Sequence, residues 1–294
     1  MRKVFLNKIR ELLPLDDRLV FLTVDIGMWM IRDLMEKYPD RVMNFGICED
    51  GMMSMAAGMA KQGMIPVIYG IQPYLIDRAL EQIKLDLAYQ MNGVKVVGTG
   101  AAVDYSKYGY SHYCPEDLGL IKMIPSVNFI APGTATEFGS LFEQTWHCPE
   151  PIFYRISDHP NQVEVPTIYG KAAVIQRGTK ATVIAVSTML DMVTQACSGL
   201  DVTILYYTTL EPFDWHTLWL ETHSNKILIC EPHYEGTLTH DVISALPDRA
   251  LHIRNVGFPR EIFRNYGTYE EKLEYYGLTH ERIYDTLREL LESP

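Results

Sequence analysis

The feature that most constrains this chain is an alternation of apolar, β-branched runs with segments of helical period. Leu19–Asp25, Val42–Ile47, Ile65–Ile71, Val94–Thr99, Val127–Ala131 and Ile152–Ile156 read as strands. The segments near 28–37, 50–62, 74–91, 115–123 and 134–147 read as helices between them. Strands that are apolar almost throughout, each followed by a helix, predict a parallel sheet covered on both faces with right-handed crossovers. From Ser157 to Thr167 the chain is polar, carries two prolines and has neither period, which predicts a linker. A second alternation follows. Ala181–Ser187, Val202–Tyr206, Lys226–Glu231 and Leu251–Val256 read as strands, with helices near 189–199, 214–223 and 236–245 and a helical tail from Tyr269 to Leu291. The predicted fold is α/β in two domains, each a mostly parallel sheet with helices on both faces: 1–160, a linker over 161–170, and 171–294.

Length and composition narrow the classes of partner. The 294 residues suit two domains, and apolar and charged fractions of 47% and 21% are ordinary for a globular protein. No window approaches about 18 uninterrupted apolar residues, so no membrane span is expected. The basic N-terminus runs into Ile9-Arg10-Glu11 rather than an apolar leader, and reads as the start of a helix in a cytoplasmic protein. A net charge of −11 disfavours nucleic acid and anionic membrane surfaces. Five cysteines, scattered and in no CxxC pair, argue against a disulfide framework and against a zinc site.

One stretch concentrates chemical interest: Phe45-Gly46-Ile47-Cys48-Glu49-Asp50-Gly51-Met52. An apolar run delivers Glu49 to the point where a helical pattern opens, the carboxyl edge where open α/β sheets bind ligands. A glutamate there also serves as a charge on a helix N-terminus, and Met52, Met55, Ala56 and Met59 at helical spacing suit core packing.

Several motifs in order resemble the carboxyl-terminal half of transketolase, as in separately encoded subunits carrying its pyrimidine-binding and C-terminal domains. They are the run from Asp40 to Met52, Arg78-Ala79-Leu80-Glu81-Gln82-Ile83, Ser111-His112 with Pro115-Glu116-Asp117-Leu118, Pro125-Ser126-Val127, and the Tyr266-Gly267 and Tyr276-Gly277 pairs. The resemblance implies thiamine diphosphate as cofactor, with Glu49 as the glutamate that hydrogen-bonds a ring nitrogen of the aminopyrimidine. Such a carboxyl must be able to hold a proton near neutrality, so burial has to outweigh the helix N-terminus. The resemblance further implies that Tyr74 stacks on the pyrimidine, that Tyr69, Ile71 and Arg78 belong to the same pocket, and that His112 hydrogen-bonds substrate oxygens or relays protons. By the same resemblance Arg155 grips a substrate phosphate, with Arg2 as a second such arginine, and Asp25 faces substrate. Arginine forks suit phosphate and carboxylate.

The chain also departs from that pattern. Ile26-Gly27-Met28-Trp29-Met30 stands where related subunits carry small hydroxyl residues, Ile71 stands for a phenylalanine, and Tyr108 and Tyr110 replace acidic and proline positions. These changes favour a substrate other than an ordinary pentose phosphate. No Gly-Asp-Gly loop is present to hold a diphosphate and its Mg2+, and the chain itself is expected to supply no metal ligand. The resemblance therefore implies an α2β2 assembly in which an N-terminal-type transketolase subunit holds the diphosphate and Mg2+, acting on a small sugar or sugar phosphate. Two other readings compete: the β-type component of a 2-oxoacid dehydrogenase or decarboxylase, and a non-catalytic scaffold paralogue.

Overall fold

The computed structural model describes residues 1–293. The first half runs α1 (Arg2–Leu12), β1 (Leu19–Thr23), α2 (Met28–Lys37), β2 (Val42–Asn44), α3 (Glu49–Lys61), β3 (Ile65–Ile71), α4 (Gln72–Ile76), a single turn α5 (Leu80–Gln82), β4 (Lys95–Thr99), α6 (Asp117–Lys122), β5 (Asn128–Ile130), α7 (Ala135–Thr145) and β6 (Ile152–Ile156). The second half continues with β7 (Ala173–Gln176), β8 (Thr182–Val186), α8 (Leu190–Ala196), β9 (Thr203–Tyr207), β10 (Thr209–Glu211), α9 (Trp215–Glu221), β11 (Lys226–Tyr234), α10 (Thr239–Ala245), β12 (His252–Phe258), α11 (Tyr269–Tyr275) and α12 (His280–Glu292).

The strands form two sheets, ordered β2-β1-β3-β4-β6-β5-β10 and β12-β11-β8-β9-β7. All pairings are parallel except β10 with β5 and β7 with β9. The α/β class read from the sequence is the observed one. One face of the first sheet packs Phe5, Leu6 and Ile9 of α1 and Phe138 and Phe142 of α7 over Phe21, Val67 and Tyr154. The other packs Met52, Met53, Ala56 and Ala57 of α3 with Ile76, Ile83 and Leu87 over Val20, Leu22 and Ile68. Met55, at helical spacing with Met52, is instead half-exposed.

Four features differ from the sequence reading. β10 lies beyond the linker yet completes the first sheet, pairing Thr209 with Ile130 and Glu211 with Phe129. Three residues ending next to Pro212 are too short to display a strand period. β7 is a half-buried edge strand whose pattern is equally faint. The helix expected over 74–91 is broken: Pro73 starts it early, Ala79 leaves helical geometry at φ −112° and ψ 17°, and residues 83–88 form a π turn. The tail helix is likewise two, separated at Gly277, whose φ of +67° suits glycine.

Glu137 ties the two halves to the segment between them. It is 1% exposed and closes a capping box with Thr134 at the start of α7. Its carboxylate also accepts from the backbone N–H of Gly133 at 2.7 Å, from Val165 at 3.4 Å, and from the Tyr206 hydroxyl of β9 at 2.8 Å. Replacing it leaves several buried donors without an acceptor. Glu137→Ala is expected to lower stability by about 3 kcal/mol and Tyr206→Phe by about 1 kcal/mol, read from urea midpoints. Unchanged midpoints would refute this role.

A second expectation concerns pH. Burial, with like-charged Asp117 as a smaller cause, raises the Asp77 carboxyl to about 6. Burial first, with Asp77 and Asp117 adding to it, raises Glu116 to about 7. An acid whose folded pKa is raised favours the folded state fully below its unfolded value, near 4, and loses that contribution as pH climbs through the folded value. The melting temperature should therefore fall between pH 5 and pH 8, and Glu116→Gln, which mimics the protonated form, should flatten that fall. An equally steep fall in the variant would assign it to other groups.

Candidate active site

Four of the residues singled out in the sequence meet above the carboxyl edge of the first sheet. β2 ends at Asn44, a four-residue turn follows, and Glu49 is the first residue of α3 with its side chain only 4% exposed. Nη1 of Arg78 lies 3.1 and 3.0 Å from the two Glu49 carboxylate oxygens. The Arg78 guanidinium sits 4.0 Å from the centroid of the Tyr74 ring, a cation–π distance. The Tyr74 hydroxyl is 3.2 Å from Nε2 of His112, and Ser111 Oγ is 3.1 Å from its Nδ1. Partial burial lowers the His112 pKa, which favours the neutral ring that can both donate and accept hydrogen bonds.

The loop that carries His112 extends this row. Tyr108 packs on the His112 ring at 5.1 Å between centroids, and Tyr105 packs on Tyr108 at 5.9 Å. The Tyr105 hydroxyl accepts a 2.7 Å bond from Nη2 of Arg2, which also reaches Thr99 Oγ1 at 3.2 Å and Asp158 at 3.3 Å. Arg2 is thereby fixed at the ends of β4 and β6. Gly109 has a φ of +84°, and a Cβ there would lie 2.7 Å from the ring of Tyr266, a largely exposed residue of the second half. The loop thus needs glycine at this position.

Other expected site residues lie elsewhere. Tyr69 is 1% exposed and packs against Phe5 at 5.3 Å and Phe21 at 6.4 Å, in the core on the α1 side rather than in an open pocket. Ile71, the last residue of β3, is half-buried. Asp25 is exposed after β1 with φ +56°, its N–H and carboxylate both engaged by Asn44 at 2.8 and 3.0 Å. Arg155 does not present an open fork. It is 1% exposed, and its Nη1 pairs with Asp117, itself 0% exposed, at 3.2 Å. Gln72 Nε2 donates to the same Asp117 carboxylate at 3.2 Å. No local pattern signals that pairing, because the two partners stand 38 residues apart on a strand and a helix.

As a binding surface, a buried carboxylate beside an aromatic face fits a flat, nitrogen-bearing ring: the carboxylate meets a ring nitrogen while the aromatic stacks. A neutral histidine lies next to it to serve a substrate hydroxyl or carbonyl. Among the described residues, no group of three or more His, Cys, Asp or Glu is arranged to hold a metal ion. Nor is any helix among them long and apolar enough to cross a membrane.

Comparisons with known proteins agree with this architecture. Residues 1–158 match the family model of the transketolase pyrimidine-binding domain, and residues 170–283 match that of the transketolase C-terminal domain. An uncharacterized 33.6 kDa protein of the fasciation locus of Rhodococcoides fascians is 33% identical, over 95% of this chain and 91% of its own length. One of the subunits of the apulose-4-phosphate transketolase of Phocaeicola vulgatus is 27% identical, over 99% of this chain and 97% of its own. Among solved structures, a split-gene transketolase described as an inactive β4 tetramer superposes with a TM-score of 0.87 at 23% identity, over 99% of this chain and 97% of that one. The chain belongs to the transketolase family, of which it carries the pyrimidine-binding and C-terminal domains.

Proposed function

We propose that this chain is one component of a two-component, thiamine-diphosphate-dependent transketolase, transferring a two-carbon ketol unit from a ketose to an aldehyde acceptor. The observation that carries the reading is the buried Glu49 carboxylate beside the face of Tyr74, with His112 hydrogen-bonded to the same tyrosine. The cofactor, when bound, supplies the carbon nucleophile. In this chain Glu49 hydrogen-bonds the pyrimidine nitrogen, Tyr74 stacks on the ring and keeps water from it, and His112 serves the substrate oxygens. Arg2 faces substrate, held ready by Tyr105 and Asp158. Arg155 supports the site from beneath through Asp117.

The diphosphate and Mg2+ fall to a partner polypeptide in an α2β2 assembly. The relative from Phocaeicola vulgatus, itself named as a subunit of a larger transketolase and matching this chain nearly end to end, supports that division. Trp29, 83% exposed beside Met28 and Met30, and Tyr108, 65% exposed, favour a substrate more apolar or differently decorated than a common pentose phosphate.

Assayed with a partner carrying the diphosphate-binding domain, Glu49→Gln should lose at least about a hundredfold in ketol transfer while keeping its circular dichroism spectrum. Near-wild-type turnover would defeat the assignment. Release of carbon dioxide from a 2-oxoacid in place of ketol transfer would move the protein to the dehydrogenase class.

A further inference from the structure

One guanidinium covers both surfaces that the proposed function gives to the aminopyrimidine ring. Nη1 of Arg78 is shared between the two oxygens of Glu49, and its planar head lies over Tyr74 at stacking distance. A guanidinium is flat, donates N–H bonds in its plane and stacks on aromatic faces, so it reproduces the contacts of a nitrogen heterocycle. The cofactor ring and Arg78 cannot both lie on this face of Tyr74.

The surroundings suit a group that enters and leaves. The Glu49 side chain is 4% exposed, whereas that of Arg78 is 44% exposed, so the arginine reaches in from solvent. Among the described residues Arg78 is the only side chain bonded to the Glu49 carboxylate. Arg78 also lies in the break between α4 and α5, where Ala79 abandons helical geometry, and a π turn follows. Such breaks absorb backbone rotation without disturbing the packed faces on either side.

We propose that Arg78 is a resident plug: it occupies the place of the aminopyrimidine while the cofactor is absent, and swings off Glu49 and Tyr74 to admit it. This rests on the cofactor reading given above. Because only the unplugged form accepts the ring, the apparent affinity is lowered by the fraction of molecules that are plugged.

The test uses the full chain with its diphosphate-binding partner, titrated with thiamine diphosphate in the presence of Mg2+ and followed by calorimetry, alongside thermal melts of the chain alone. Arg78→Ala should bind thiamine diphosphate more tightly, on the order of tenfold. The same variant alone should melt below wild type, and that gap should close once cofactor is bound to the complex. Arg78→Lys keeps the charge but not the flat head, and should shift affinity in the same direction by less; it carries the test should the alanine variant fail to fold. Equal or weaker binding by the variants, with wild type binding normally, overturns the plug and leaves the function standing. A wild-type complex that binds no thiamine diphosphate overturns both.

Discussion

The site stands on a buried ion pair. Asp117 and Arg155 are both withdrawn from water, and an isolated charge in that position would cost several kcal/mol, so each is tolerable only because the other is there. The pair joins the start of α6 to the end of β6, and Gln72 connects it to α4. Gln72 comes this close because Gly98 of β4 has no side chain; a Cβ there would fall 1.5 Å from Gln72 Oε1. Two residues beyond Gln72, Tyr74 turns upward to meet Arg78 and His112. The aromatic face of the site thus inherits its position from a polar layer beneath it that no solute touches.

Above that layer the residues form one connected row from Glu49 through Arg78, Tyr74, His112, Tyr108 and Tyr105 to Arg2. One end is buried and acidic; the other is basic and reaches the ends of β4 and β6. The middle is aromatic and partly open. Such a gradient can hold a flat ring at one end and a polar, hydroxylated substrate further along. Tyr266 from the second half leans on Gly109 of the loop that carries Tyr105, Tyr108 and His112, so the second half bears on the shape of the loop although it contributes none of the residues in the row itself.

Much of this is legible in the sequence because it depends on local pattern. Strand and helix alternation follows from burial on both faces of a sheet, and Glu49 is recognisable from the apolar run before it and the helical run behind it. The rest depends on long-range choices that periodicity does not encode. Arg155 ends a strand, where an arginine can face solvent or the interior equally well; the deciding fact is Asp117 on a helix elsewhere. Tyr69 and Tyr74 are five residues apart and chemically alike, yet one falls on the packed face of β3 under α1 and the other on the turn above the sheet. The break at Ala79 is hidden because the apolar spacing of Leu75, Ile76, Ile83 and Leu87 continues across it.

The strand β10 has a consequence for how this chain can be divided. Cutting between the halves would strip β5 of its antiparallel neighbour and leave Asn128–Ile130 as a bare sheet margin with unpaired N–H and C=O groups, a template for pairing with other molecules. The first half in isolation would be prone to self-association for that reason alone.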